Sequence, residues 1–228
     1  YDGKTWKPIS SLGGTAVWGT GANSVWVTTT KAGMLGYHYG VVKHFNGTMW
    51  SELPFNSIKV GWYTDVWASG PNNIWLSYRA YSKGYMGTIL YHHDGKQLTA
   101  VKYGTPFDIY GKVWGTAPSD VYLLGGLGAT MERYDGKTWS LNFRPAAFKL
   151  QKPMDIWASS KTDAYFLFWD PAYPKPPTRG NALVHFDGVK TWKTVATWPT
   201  NPALQALWGT KTHLYVVGGD GHVYRRVR

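Results

Sequence analysis

A Trp followed by Gly or Ala recurs five times along this chain, at nearly regular intervals. Successive copies are 43 to 51 residues apart, and they begin at Trp18, Trp67, Trp114, Trp157 and Trp208. A second aromatic residue follows each copy seven or eight positions later, at Trp26, Trp75, Tyr122, Tyr165 and Tyr215. An internal repeat of this length with strand-like segments is typical of a β-propeller, in which each repeat forms one blade.

Turn signals divide each repeat into four short β-rich runs. Four repeats carry an Asx-Gly pair between two apolar runs, beginning at Asn46, Asp94, Asp135 and Asp187. This pair favours a tight hairpin because Gly readily adopts the positive φ angle that such turns need. Clusters of Pro, Gly, Ser and Asx separate the first run from the second and predict further turns. The pattern therefore predicts four-stranded antiparallel blades.

The two chain ends predict how the ring closes. Repeats are expected near 15–54, 63–103, 112–143, 154–197 and 205–228, which leaves no second domain. Residues 1–6 are identical to residues 134–139, whereas the chain stops after a third run at 223–227. We therefore expect residues 4–10 to complete the last blade, because pairing them there removes an exposed sheet edge. The prediction is an all-β protein: one five-bladed, closed β-propeller domain over residues 1–228.

Composition restricts the compartment and the partners only in part. The chain has no Cys, which excludes disulfides, and no run of about 20 apolar residues that would span a bilayer. Its first residue is Tyr1, so we expect a processed or excised piece without its signal region. The net charge is +11, from 24 Lys and Arg against 13 Asp and Glu. We interpret most of these cations as solvated residues, and nucleic acid is the less favoured partner.

The repeats differ most in the segments expected to connect second and third strands, at 30–36, 79–87, 126–128, 170–180 and 218–221. Several of these segments, and several that connect blades, are rich in aromatic and basic residues. In a propeller both sets emerge on one face, and binding residues commonly lie on such loops. The candidate ligand-binding residues are Trp62, Tyr78, Arg79, Tyr81, Tyr85, Tyr110, Arg144, Trp169, Tyr173 and Arg179.

Aromatic and basic side chains on a rigid scaffold suit sugars, because sugar C–H faces stack on aromatic rings while polar groups bind the hydroxyls. We therefore predict a carbohydrate-binding, lectin-like module. The alternatives are a protein interaction platform on the same face, or aromatic side chains that fold inward and only cap the blades. The repeated Trp residues of the Trp-Gly and Trp-Ala pairs are expected to form the core between blades.

Few residues of this chain are candidates for a catalytic role. Most carboxylates belong to repeated turns, and those near a central channel are Asp65 and Asp155, each two residues before a repeated Trp. Lys112 occupies the same repeat position, which favours a salt-bridged ring of Asp65, Lys112 and Asp155. A glycoside hydrolase that uses the two carboxylates is the less favoured alternative, because sugar hydrolysis needs a paired acid and base or nucleophile. We therefore favour a protein that is not an enzyme.

No cofactor or metal is expected. His44, His92 and His185 occupy nearly equivalent third-strand positions, which indicates a repeated structural role. The other His residues lack the spacing of a zinc site, and the chain has neither a P-loop nor a dinucleotide fingerprint.

The segments at 17–27 and 66–75 resemble the Trp-rich propeller repeats of bacterial secreted and cell-surface proteins, and the similarity extends over all five repeats. The resemblance implies a propeller fold and an extracytoplasmic location, but the activity of those proteins is mostly unknown. The Trp-Asp and Gly-His signatures of WD40 blades are absent, and so is the Ser-x-Asp-x-Gly box of sialidases. We expect the protein to act as a monomer.

Overall fold

The structure is a computed structural model, and it describes residues 4–5, 13–33, 37–55, 60–82, 85–104, 110–125, 130–141, 143–148, 151–169, 181–198, 204–219 and 221–228. Within these ranges the chain forms five antiparallel sheets, numbered here in chain order, and one short 3-10 helix at Ala146–Phe148.

Consecutive strands pair within each sheet. The first sheet contains β1 (Ala16–Gly21), β2 (Ser24–Ala32), β3 (His38–Phe45) and β4 (Trp50–Glu52). The second contains β5 (Val60–Gly70), β6 (Asn73–Ser82), β7 (Tyr85–His93) and β8 (Leu98–Tyr103). The third contains β9 (Tyr110–Ala117), β10 (Asp120–Gly125), β11 (Met131–Tyr134) and β12 (Trp139–Ser140). The fourth contains β13 (Lys152–Ser160), β14 (Asp163–Trp169), β15 (Asn181–Phe186) and β16 (Trp192–Trp198). The fifth contains β17 (Leu204–Gly209), β18 (His213–Gly218) and β19 (Val223–Val227).

The predicted Asx-Gly hairpin turns are confirmed. Gly47, Gly95, Gly136 and Gly188 all have positive φ, between 84° and 96°. In the first turn, Oδ1 of Asn46 accepts hydrogen bonds from the backbone N–H groups of Thr48 and Met49, both at 3.0 Å. The Asp residues of the other three turns bind the backbone in the same way. Local chemistry therefore fixes the third-to-fourth strand connection of four sheets.

Neighbouring sheets interlock because a Trp of one sheet lies on the small residue of the next Trp pair. A Cβ atom added to Gly115 would lie 2.6 Å from the Trp67 ring, and one on Gly209 would lie 2.5 Å from the Trp157 ring. Trp18 follows the same order, since its Nε1 donates to the carbonyl of Ala68 at 2.7 Å. Gly or Ala follows each repeated Trp because a larger side chain would displace the neighbouring indole.

The fifth Trp departs from this order. The side chain of Trp208 is 54% exposed, so the prediction that all five repeated Trp residues are buried between blades is wrong at this position. Its ring lies 5.8 Å from that of Trp114. The three atoms nearest a Cβ added to Gly19 belong to its own sheet, not to a Trp ring. The predicted ring closure by residues 4–10 falls mostly outside the described residues, and the described Lys4 and Thr5 are not in a strand.

The repeated His position is part of a stacked hydrogen-bonded unit. The rings of Trp75 and His92 stack with centroids 4.2 Å apart, and Nε2 of His92 donates to Oδ1 of Asn73 at 2.8 Å. The ring of His185 likewise lies beside that of Tyr165, and its Nε2 donates a hydrogen bond to Oδ1 of Asp163. The predicted structural role of these His residues is therefore confirmed.

Sequence reasoning missed one member of this unit, although its signal is plain. Each Trp pair is followed by a hydroxyl residue, at Thr20, Ser69, Thr116, Ser159 and Thr210. Oγ of Ser69 accepts a hydrogen bond from Nδ2 of Asn73 at 2.8 Å, while Ser159 donates to Asp163. The hydroxyl thus orients the Asx side chain that holds the His. Its presence in every repeat could have been read from the sequence alone.

Candidate functional site

A central cavity of about 320 Å³ lies where the inner strands β1, β5, β9, β13 and β17 come together. Its wall includes the three charged residues predicted for a central channel, namely Asp65, Lys112 and Asp155. The remainder of the wall is largely apolar, and it contains the indoles of Trp18, Trp114 and Trp208. The cavity therefore combines aromatic surface with a small charged cluster.

The charged residues of this cavity connect successive sheets. Oδ2 of Asp65 accepts a hydrogen bond from the backbone N–H of Val113 at 2.9 Å. Oδ2 of Asp155 accepts one from the backbone N–H of Leu207 at 2.7 Å. Between them, Nζ of Lys112 lies 3.8 Å from Oδ1 of Asp155. These contacts join the second sheet to the third, the third to the fourth and the fourth to the fifth.

Burial dominates the protonation of both carboxyl groups. It raises the pKa of Asp65 to about 6, although the charge of Lys112 and the N–H groups of Val113 and Val66 lower it in part. Burial likewise raises the pKa of Asp155 against the opposing effect of Lys112. A neutral Asp65 carboxyl group is thus accessible near pH 6 in this cavity.

A second group of predicted residues meets at the end of the second sheet. Trp62 on β5 pairs in register with Arg79 on β6, and the Arg79 guanidinium lies 5.5 Å from the centre of the Trp62 ring. Tyr81 lies two residues further along β6, so its side chain is on the same face, and it is 45% exposed. We call Trp62, Arg79 and Tyr81 the second-sheet platform.

The structure corrects the prediction for Tyr78. This residue was expected in a variable loop, but it is fully buried in β6, and its ring lies 4.8 Å from that of Tyr63. Most of segment 79–87 forms β6 and β7 and is therefore not an open loop. Alternation along the strand places Tyr78 on the face that packs against the first sheet, and its neighbour Arg79 at the end of the other face, which carries the buried Trp75. Tyr78 is consequently a core residue.

The other candidate residues do not join this platform as a described group. Trp169 is half-buried at the end of β14, and Arg144 is half-buried near the 3-10 helix, where burial lowers the pKa of its guanidinium. Tyr85 and Tyr110 begin β7 and β9, but their side chains lie outside the described parts. Tyr173 and Arg179 also lie outside the described residues.

Thr88 is a platform neighbour that sequence reasoning missed. It pairs in register with Arg79 on β7, is only 1% exposed, and its Oγ1 is buried without a hydrogen-bond partner among the described residues. Nε of Arg79 is also buried without a described partner. A Thr in a β-strand gives no such signal in a sequence, because its hydrogen bonding depends on what packs against the sheet.

Comparison with solved structures identifies the architecture. Luciferin-regenerating enzyme superposes with a TM-score of 0.59 at 13% identity over 90% of this chain and 74% of that chain. YCF48 from Cyanidioschyzon merolae gives a TM-score of 0.57 at 12% identity over 93% of this chain and 66% of that chain. This chain has a β-propeller fold.

The GH74 xyloglucanase from Xanthomonas campestris is a third structural neighbour, with a TM-score of 0.54 at 14% identity over 95% of this chain. This chain spans 38% of that enzyme's length. At such identities the likeness extends to the fold alone. No protein-family model and no curated protein matches the chain.

Two absences apply to the described ranges only. No helix there is long and apolar enough to cross a membrane. No group of three or more His, Asp or Glu side chains there is arranged to hold a metal ion.

Proposed function

We propose that this protein is a non-catalytic carbohydrate-binding module whose ligand stacks on the second-sheet platform. The observation that carries the proposal is the position of Arg79 over Trp62 beside the exposed ring of Tyr81. Trp, Tyr and Arg are the side chains that dominate binding sites, because they offer large rigid surfaces with a polar edge. A sugar ring would place its C–H face on an indole or phenol and its hydroxyls against the guanidinium.

The rigidity of the second sheet supports this proposal. The platform lies on paired strands whose opposite face is buried, with Tyr63 and Tyr78 fully enclosed. A Cβ atom added to Gly40 of the first sheet would lie 2.7 Å from Tyr78, so the neighbouring sheet packs tightly against that face. A site held by packed strands loses little conformational freedom when it binds a ligand.

The central carboxylates support a non-catalytic role. A glycosidase needs one carboxyl group for proton transfer and another as base or nucleophile, both directed at the sugar. Asp65 and Asp155 each use one oxygen to bind the backbone of the next sheet, and Asp155 also faces Lys112. These interactions favour a role in holding the sheets together.

A glycan array tests the proposal, with Tyr81→Ala as the site variant. Binding of a defined set of glycans that weakens in Tyr81→Ala, without a change in thermal unfolding, is the expected result. If no glycan on the array binds, the carbohydrate assignment is wrong, and a protein partner for the same surface is favoured. Glycan cleavage that disappears in Asp65→Asn would instead favour a hydrolase.

We also propose that a Trp side chain closes the ring at the fifth sheet. A groove of about 250 Å³ lies between the fourth and fifth sheets, where Trp198 and Tyr224 face each other with ring centroids 5.3 Å apart. Leu183, Leu214 and Val216 also line this groove.

The third sheet indicates what fills such a groove. Leu90, Val121 and Leu123 hold the positions equivalent to those three aliphatic residues, and Trp139 packs against their cluster. Trp139 begins the fourth strand of its sheet, and residues 1–6 repeat its surroundings, with Trp6 in its place. We therefore propose that residues 4–10 complete the last blade, with Trp6 at the repeat position of Trp139.

Three further assignments belong to the same proposal. The module is a single domain, it acts as a monomer, and it works outside the cytoplasm. The extracytoplasmic assignment rests on the resemblance of the repeats to those of secreted and surface proteins, and it agrees with a glycan ligand.

A further inference from the structure

The second-sheet platform carries a positive charge that the described part of the protein does not neutralise. None of the described carboxylates forms an ion pair with Arg79. Its guanidinium is held against Trp62, which fixes its direction without supplying a counter-ion. An Arg in this state is suited to an anionic ligand, because its planar fork binds a carboxylate through two parallel hydrogen bonds.

The described carboxylates are already engaged elsewhere. Five form ion pairs with Lys or Arg: Glu52 with Lys31, Asp120 with Arg133, Glu132 with Lys102, Asp155 with Lys112 and Asp163 with Arg228. Two bind backbone N–H groups in the central cavity, Asp65 and Asp155. Three cap the hairpin turns, Asp94, Asp135 and Asp187. The whole chain has a net charge of +11, and none of the described carboxylates pairs with Arg79, so we expect a ligand to supply the anion.

Two buried polar atoms lie in the same cross-strand row as this charge. Nε of Arg79 and Oγ1 of Thr88 belong to residues paired across β6 and β7, and neither atom has a described hydrogen-bond partner. Leaving such groups unpaired in the free protein costs free energy. The stacking ring of Trp62 lies in the same cross-strand row, on the other side of Arg79.

We propose that the ligand is an acidic glycan, and that Arg79 binds the carboxylate of a uronic acid while Trp62 and Tyr81 stack on sugar rings. This inference rests on the proposed carbohydrate-binding function and adds the chemical class of the sugar. The carboxylate accepts two hydrogen bonds from the guanidinium, and the C–H face of a ring covers the exposed phenol of Tyr81.

Calorimetry with oligogalacturonate and with its carboxyl-reduced, neutral counterpart tests the class of ligand. At about 150 mM salt, where distant charges are screened, we expect oligogalacturonate to bind about tenfold or more tightly than the neutral oligomer. Equal binding of the two oligomers overturns the acidic class but leaves a carbohydrate module in place. If neither oligomer binds and a glycan array is also blank, the proposed function itself fails.

A pair of variants separates the site from general charge attraction. Arg79→Gln and Lys137→Gln each remove one positive charge, but Lys137 is an exposed residue of a hairpin turn in the third sheet. Arg79→Gln is expected to abolish the preference for the acidic oligomer, whereas Lys137→Gln is expected to keep it. An equal loss in both variants overturns the proposal, since the preference would then come from net charge.

Two further measurements keep the result interpretable. Tyr81→Ala is expected to weaken the binding of both oligomers. The variant should still fold, because this side chain is exposed and its loss should not disturb the core. Polyglutamate of matched charge serves as a peptide probe and is expected to bind weakly. Tight polyglutamate binding with the same dependence on Arg79 would overturn the glycan assignment in favour of an acidic peptide.

Discussion

The indole of Trp67 lies so close to Gly115 that a Cβ atom on this glycine would be 2.6 Å from the ring. The two residues belong to adjacent sheets and to successive Trp repeats, and Trp157 meets Gly209 in the same manner. One dipeptide therefore supplies both halves of the contact between blades. Its Trp covers the next sheet, and its small residue accepts the Trp of the preceding sheet.

This contact predicts that Gly115→Ala is destabilising. The added methyl group must displace the Trp67 ring, and overpacking of this kind costs about 1 to 3 kcal/mol of unfolding free energy. The measurement is urea unfolding monitored by circular dichroism. Gly21→Ala is the matched control, because a Cβ atom there meets nothing within 4 Å. Equal stability of the two variants would contradict the interlocking role of Trp67.

The neighbours Tyr78 and Tyr81 are predicted to separate stability from binding. Tyr78→Ala removes a fully buried ring and should lower the unfolding free energy by about 3 to 5 kcal/mol. Tyr81→Ala removes a ring that is 45% exposed and should leave stability within about 0.5 kcal/mol while it weakens glycan binding. Thermal unfolding and glycan titration of both variants provide the test. A large stability loss in Tyr81→Ala would show that its ring supports the fold.

Asp65 is predicted to make stability depend on pH. The unfolding free energy of the protein, relative to that of an Asp65→Asn variant, should rise as the pH falls from about 6 to about 4. Burial raises its pKa from 3.8 to about 6, so the native state binds a proton that the unfolded state releases in this range. The contribution is fully present below the unfolded pKa and is lost as the pH rises through the folded pKa. Lys112 and Asp155 are the charged groups that act on Asp65, in opposite directions.

The test of this pH dependence is the difference in unfolding free energy between the native protein and Asp65→Asn, measured at several pH values. Burial lowers the pKa values of His44 and His92, so these two residues make the protein less stable as the pH falls. Both proteins share this contribution, and taking the difference removes it. A difference that stays constant between about pH 4 and pH 7 would mean that the pKa of Asp65 is not raised in the native state.

Ring closure is tested with Trp6. If its side chain fills the groove between the fourth and fifth sheets, Trp6→Ala should lower the unfolding free energy by about 3 to 5 kcal/mol, as expected for a buried Trp. Trp139→Ala should cost a similar amount, because Trp139 holds the equivalent position in the third sheet. Tyr103→Ala is the exposed aromatic control, since that side chain is 66% exposed. A Trp6 variant as stable as Tyr103→Ala would rule out the assignment.

Much of the fold followed from short-range patterns in the sequence. The Asx-Gly pairs predicted four hairpins because an Asx side chain and a glycine at positive φ complete that turn by themselves. The spacing of the Trp pairs predicted the repeated sheets. The Ser or Thr after each pair is an equally regular signal, but sequence reasoning missed both this residue and its partner, the Asx residue that holds the His.

The candidate site was only partly predictable. Trp62, Arg79 and Tyr81 were all named from their aromatic and basic character, and the structure places them on one face of the second sheet. Tyr78 was named for the same reason and is buried, because β6 extends beyond the expected turn and alternation directs it to the core. Composition does not reveal where a strand ends, and one residue's difference in register reverses the face of a side chain.

The sequence by itself determined the repeat, the turns and the residue types that join one sheet to the next, because these depend on neighbours that recur at fixed spacing. Among the described residues, the tertiary structure decided which side chains are exposed, which carboxylates are already bound and which cations lack a carboxylate partner. Those properties arise from contacts between sheets far apart in the chain, as when Asp65 meets Val113 or Asp155 meets Leu207. Burial at such contacts raises the pKa of both carboxyl groups, and no local pattern encodes it.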